Sequence, residues 1–89
     1  FFIFVFGQNQ INVIVLDNLS KQSLMNAKVS LAKSTNEAYT DFKGNAILSD
    51  IPDGNQLIVI SYSGYNNVIL DLIFPLEELA KNNSAVIYK

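Results

Sequence analysis

Residues 40–65 read TDFKGNAILSDIPDGNQLIVISYSGY, two turn signals set among short apolar runs. Asp41 suits the first position of a type I turn, where its carboxylate accepts a hydrogen bond from the backbone two residues on, and Gly44 suits the fourth. The spacing predicts a short strand over 38–40 and a hairpin onto Asn45-Ala46-Ile47-Leu48. A second turn follows at Ile51-Pro52-Asp53-Gly54. Pro52 fixes φ at its first central position and pushes Ile51 into an extended conformation, while Gly54 closes the turn. Gln56 to Tyr62 is then apolar on both faces in its middle, which predicts a central strand covered on both sides. Ser63-Gly64 stops it.

The flanking segments extend the same pattern. Ile11 to Leu16 is β-branched and apolar, a strand expected to be buried on both faces, and it ends at the turn formers Asp17-Asn18. Ala27 to Ala32 alternates, sending Ala27, Val29 and Leu31 one way and Lys28 and Ser30 the other. Val68 to Phe74 places Val68, Leu70, Leu72 and Phe74 on one face and Asp71 on the opposite one. Pro75, Glu77, Glu78 and Lys81 lie where the first and last turns of a helix favour them. They predict a short helical turn near 76–82, with Leu76, Leu79 and Ala80 over the core. A last strand is expected at Ala85 to Tyr88. The fold class is therefore all-β, a sandwich of about seven short strands.

At 89 residues the chain has room for one small core, and its 49% apolar and 16% charged content is that of a folding sequence. All six basic residues are lysines, at 21, 28, 33, 43, 81 and 89, dispersed among eight carboxylates. No basic patch is available for a phosphate backbone, so no nucleic-acid partner is expected. His, Cys, Arg and Trp are absent. The commonest general base, the thiol nucleophile, thiolate zinc sites and the bidentate anion clamp go with them. No cofactor, no metal and no catalysis are expected.

Phe1-Phe2-Ile3-Phe4-Val5-Phe6-Gly7 is an unbroken apolar run followed at once by Gln8-Asn9-Gln10. It reads as the end of a secretory signal peptide, with Val5 and Gly7 at the −3 and −1 positions and Gln8 the first mature residue. The alternative is a buried edge strand, since seven apolar residues cannot span a bilayer. Residues 1–7 are thus a signal remnant, residues 8–89 the domain, and the protein is expected to be exported, to the periplasm or the outer membrane and cell surface.

In order, Thr40-Asp41-Phe42-Lys43-Gly44, Ala46-Ile47-Leu48, Ile51-Pro52-Asp53-Gly54 and Ser61-Tyr62-Ser63-Gly64-Tyr65 resemble the carboxypeptidase regulatory-like family. Ile14-Val15-Leu16-Asp17, Leu24, Ala27 and Val29 are similar to its opening pattern. Two positions depart from it. Asn12 and Val13 stand near a usual glycine, and Asn26 replaces the glycine expected before Ala27. The resemblance covers about Ile11 to Phe74. It implies a transthyretin-like (prealbumin-like) Greek-key β-sandwich, of the kind found at the N-terminus of Bacteroidetes TonB-dependent outer-membrane receptors. The residues after Phe74 carry neither a TonB-box-like segment nor a plug. The implied role is a noncatalytic accessory module, with a neighbouring domain of the same polypeptide or another envelope protein as partner. The alternative is a carbohydrate- or protein-binding module of a secreted or surface protein. Hydroxyisourate hydrolase, another transthyretin-like family, relies on a cluster of His and Arg and a C-terminal Tyr-Arg-Gly-Ser; this chain ends Val86-Ile87-Tyr88-Lys89.

The residues singled out are mostly structural. Asp41, Gly44, Pro52, Gly54 and Gly64 are expected to make turns. Asp41, Asp50 and Asp53 lack the alternating spacing of a calcium loop and read as turn caps. Asp71 with Glu77 and Glu78 has nothing near it in sequence to tune an acid–base pair. Tyr62 and Tyr65, with Tyr39, stand at strand ends and read first as the rim of the core; the alternative is a binding surface, Tyr62 and Tyr65, whose aromatic faces stack on a glycan.

Overall fold

The alternation that sends Ile11, Val13 and Val15 to one side makes Asn9–Asp17 a strand, β1, and leaves those three side chains without solvent exposure. The structure, a computed structural model, describes residues 9–76 and 82–88. Six further strands follow: β2 (Lys28–Leu31), β3 (Glu37–Tyr39), β4 (Asn45–Ile51), β5 (Gly54–Ser61), β6 (Val68–Phe74) and β7 (Asn82–Ile87). They form two sheets, in the orders β4-β1-β7 and β3-β2-β5-β6. Among the described residues there is no helix, and none long and apolar enough to cross a membrane. The fold is the all-β sandwich that the strand pattern implies.

One continuous core lies between the sheets. Ile11, Val13, Val15, Ala46, Leu48, Ile51, Ala85 and Ile87 enter it from the three-stranded side, and Val29, Leu31, Ile58, Ile60 and Phe74 from the four-stranded side. Full burial of Val, Leu, Ile or Phe contributes about 1.5–3 kcal/mol each. The outer faces are wetter than the sequence suggests. Asn12, Ile14 and Leu16 on β1 are only half-buried, and Leu57 on β5 is exposed. In two layers even a central strand has one face toward solvent, which corrects the expectation that β1 and β5 are covered on both sides.

The turns of the 40–65 stretch do not make hairpins. β3 pairs with β2, β4 with β1, and β5 with β2 and β6. The chain changes sheet at Asp41–Gly44 and again at Pro52–Asp53, so each turn is a corner of the sandwich. Tight-turn chemistry is the same whether the outgoing strand pairs back or crosses the core, and local sequence does not separate the two cases.

β4 runs on beyond Leu48 because of a bulge. Asn9 pairs with Ile51 and Ile11 with Leu48, so β4 spends one extra residue there, and Asp50 takes a left-handed conformation with φ 57°. Strict alternation would turn Asp50 inward after Leu48. The bulge resets the parity and buries Ile51 completely while Asp50 stays exposed.

β7 adds to β1 in parallel, from Asn12 opposite Asn82 to Asp17 opposite Ile87. It begins earlier than the expected Ala85. The anticipated helical turn near 76–82 falls on 77–81, outside the described residues, as do Leu79 and Ala80; Asn82 already belongs to β7, and Leu76 packs against the core.

Candidate functional site

Because β1 and β7 are parallel, Asp17 and Ile87 finish at the same end of the sandwich, and the Asn18 amide donates to the Ile87 carbonyl at 3.0 Å. The Asn66 amide donates to the Tyr88 carbonyl at 2.7 Å, which brings the β5–β6 connection to this end as well.

Asp17 organises the place. Its Oδ1 accepts from the Leu19 amide (2.8 Å) and the Ser20 amide (3.0 Å), folding residues 17–20 into an Asx turn. The loop returns along β1 through Asp17 N–H to Gln22 O (2.9 Å) and Leu24 N–H to Val15 O (3.0 Å), with Lys21 at φ 60°. The second carboxylate oxygen accepts the hydroxyl of Tyr65 in a short hydrogen bond. That bond, with some loss of hydration and the negative charge of Asp17, pushes the Tyr65 hydroxyl up to about 12. Tyr65 is itself set by its turn. Its amide donates to Tyr62 O at 3.0 Å around Gly64, whose φ is 85°, and the Tyr62 and Tyr65 rings meet edge to face with centroids 5.4 Å apart.

Between these segments lies a cavity of about 500 Å³. Tyr65 and Tyr88 supply aromatic wall, Leu19 and Leu24 apolar wall, and Asp17, Asn18, Ser20 and Gln22 its polar groups. Leu19 and Tyr88 are 87% and 52% exposed, so apolar surface at the mouth stands in water. The arrangement has the means to hold a small ligand by stacking and hydrogen bonds.

The structure sorts the other singled-out residues plainly. Tyr62 touches Tyr65 but does not line the cavity, and Tyr39 lies on the outer face of the four-stranded sheet, apart from both. Asp41 Oδ1 accepts from the amides of Lys43 (2.9 Å) and Asn45 (3.0 Å), and Gly44 N–H donates to Asp41 O at 2.9 Å. Gly44 is buried with φ 80°; Gly54, at φ 102°, opens β5 just after the exposed Pro52 and Asp53. Asp53 accepts from Asn9 Nδ2 at 2.8 Å, and Asp50 sits in the bulge, so the three aspartates serve three separate local structures. No group of three His, Cys, Asp or Glu able to hold a metal exists among the described residues. Asp71 is exposed and accepts from Asn55 Nδ2 at 2.7 Å; Glu77 and Glu78 lie outside the described residues.

Sequence reasoning took Asp17 only as a turn former and Tyr88 only as a strand end, and passed over Gln22. Asp17 and Tyr65 are 48 residues apart, and nothing local signals their bond. Asn26 did carry a signal. It stands where glycine is expected and adopts φ 67°, a conformation that asparagine tolerates better than most residues.

A family model described as the CarboxypepD_reg-like domain matches residues 14–83. No protein of curated function matches the chain. Among solved structures, the crystal structure of the group B streptococcus pilus 2b backbone protein is similar, with a TM-score of 0.62 at 16% identity over 92% of this chain. The chain spans 41% of that pilus protein's length, and the likeness is one of fold. With the sandwich, its turns and the match over 14–83 together, the chain belongs to the carboxypeptidase regulatory-like domain family.

Proposed function

We propose that the chain is a noncatalytic accessory module of an exported cell-envelope protein, the N-terminal extension of a TonB-dependent outer-membrane receptor, with residues 1–7 the remnant of its export signal. The observation that carries a docking role is the outer face of the four-stranded sheet. There Ile69 and Ile73 of the edge strand β6 are 60% and 71% exposed on either side of Asp71, which lies opposite Leu57 of β5. Exposed apolar side chains around a single carboxylate, next to an open strand edge, are surface that a neighbouring domain or envelope protein can cover. Catalysis is disfavoured by the inventory: there is no His, Cys or Arg, and Asp17, Asp41, Asp53 and Asp71 all accept hydrogen bonds within the fold. Deleting 11–74 from the parent protein, or changing both Ile69 and Ile73 to Lys, should impair its assembly or regulation while any catalytic step persists. Normal assembly of the double variant would refute the docking reading.

The cavity between Asp17, Tyr65 and Tyr88 favours a second reading, a carbohydrate- or protein-binding module of a secreted or surface protein. The sequence that follows residue 89 in the gene separates the two. A plug and barrel supports the first reading, and a catalytic or adhesive domain the second.

A further inference from the structure

The polar groups that line the cavity are of one kind. Asn18 and Gln22 carry side-chain amides and Ser20 a hydroxyl, groups that both donate and accept, and no lysine is among the described lining residues. The one charge among the described lining residues, Asp17, is negative and already accepts from two backbone amides and the Tyr65 hydroxyl. Among the described lining residues an anion meets a carboxylate and no counter-charge. A neutral polyhydroxylated ring fits, since its vicinal hydroxyls pair with amides in both directions and its C–H face packs on tyrosine. The walls are loops and strand ends, not an open strand edge, so no ladder is offered to an extended peptide. The volume falls within the roughly 300–1,000 Å³ usual for small-ligand sites. The Asx turn and the Asp17–Tyr65 bond hold the loop and one aromatic wall in place, which lowers the ordering cost of binding.

We propose that the cavity between the 17–24 loop, Tyr65 and Tyr88 binds a neutral pyranose unit of a glycan, with Tyr88 as stacking face and Asn18, Ser20 and Gln22 as hydrogen-bond partners. This rests on the second reading above and commits it to sugar rather than protein.

The test is an amide-resolved NMR titration of the chain with neutral disaccharides of glucose, galactose, mannose and N-acetylglucosamine, with digalacturonic acid, and with a capped peptide of alternating valine and threonine. At least one neutral disaccharide should shift the amides of residues 18–24, 65 and 88 and saturate in the millimolar range, with digalacturonic acid about tenfold weaker. Tyr88→Ala and Gln22→Ala should each weaken binding about tenfold or more, and Tyr39→Ala should leave it unchanged. Gln22→Ala keeps the backbone carbonyl that pairs with Asp17, so the loop survives if Tyr88→Ala perturbs the fold. The proposal is overturned if no neutral disaccharide shifts these amides up to roughly 50 mM, or if both variants bind as the wild type does. Peptide binding without sugar binding overturns it too and leaves the protein-binding form of the second reading standing; binding of neither removes both.

Discussion

Replacing Gly44 and Gly54 by alanine, one at a time, distinguishes a glycine needed for its backbone angle from one needed also for its lack of a side chain. Both have positive φ, 80° and 102°. At Gly54 an added Cβ meets nothing within 4 Å, so the cost is the backbone conformation alone, about 1 kcal/mol. At Gly44 the Cβ would lie 2.7 Å from Ser23 Cβ and 3.0 Å from the Val15 carbonyl oxygen. The Val15 oxygen accepts from Leu24, and the Val15 amide donates to Gly44 O at 2.9 Å, so neither neighbour moves away without loosening β1. Overpacking of this kind adds about 1–3 kcal/mol, for a total of about 2–4 kcal/mol. Urea denaturation with unchanged m-value should therefore show Gly44→Ala losing at least twice as much stability as Gly54→Ala. In the double variant Gly44→Ala/Ser23→Gly the collision with the Ser23 side chain is gone while the approach to the Val15 oxygen stays, and a favourable coupling of about 1–2 kcal/mol should appear. Equal losses at the two glycines, or no coupling with Ser23, would refute the reasoning.

Three further outcomes follow from hydrogen bonds and backbone strain. Tyr65→Phe should lower the thermal midpoint below pH 10. Folding raises the Tyr65 hydroxyl from 10.0 to about 12, so its contribution is complete below the lower value and is lost as pH climbs through the upper. The gap between wild type and Tyr65→Phe should close between pH 10 and about 12, and a gap unchanged there would mean that the Asp17 bond does not form. Thr40, the one buried polar residue among those described, donates to Leu24 O at 2.6 Å and accepts from Ala27 N–H at 2.8 Å. Thr40→Val should cost about 2–4 kcal/mol by denaturation, since two backbone groups lose their partner. At the β4 bulge, Asp50→Val should cost more than about 1 kcal/mol, whereas Asp50→Gly should stay within about 0.5 kcal/mol of wild type or exceed it. The reverse order would remove the left-handed bulge.

What the chain reveals before folding is what neighbours decide. The alternation of Ala27 to Leu31 and of Val68 to Phe74 states which face each strand buries, and Asp41 and Gly44 sit where their turn needs them. The partner of a strand is not written locally. Pro52-Asp53 reads the same whether β5 pairs back on β4 or, as here, crosses to β2 and β6. The strand Ser49-Asp50-Ile51 is legible only once the bulge is known, because by alternation Asp50 would face the core. The cavity was half visible. Tyr65 stood out in sequence, but Asp17 and Gln22 meet it only across the fold, and Tyr88 joins them through the parallel pairing of β1 with β7.

That pairing also orders the steps of folding. β1 and β4 can join once residue 51 has been made, yet the other edge of β1 waits for β7, with Val13 opposite Asn83 and Leu16 opposite Val86. Contacts so distant along the chain form slowly. During synthesis the Val13-Ile14-Val15-Leu16 edge of β1 therefore stands unpaired for longest, open to the same edge of another copy. Truncation before Asn82 would make that interval permanent, and self-association through β1, rather than simple loss of stability, would then limit the yield of folded protein.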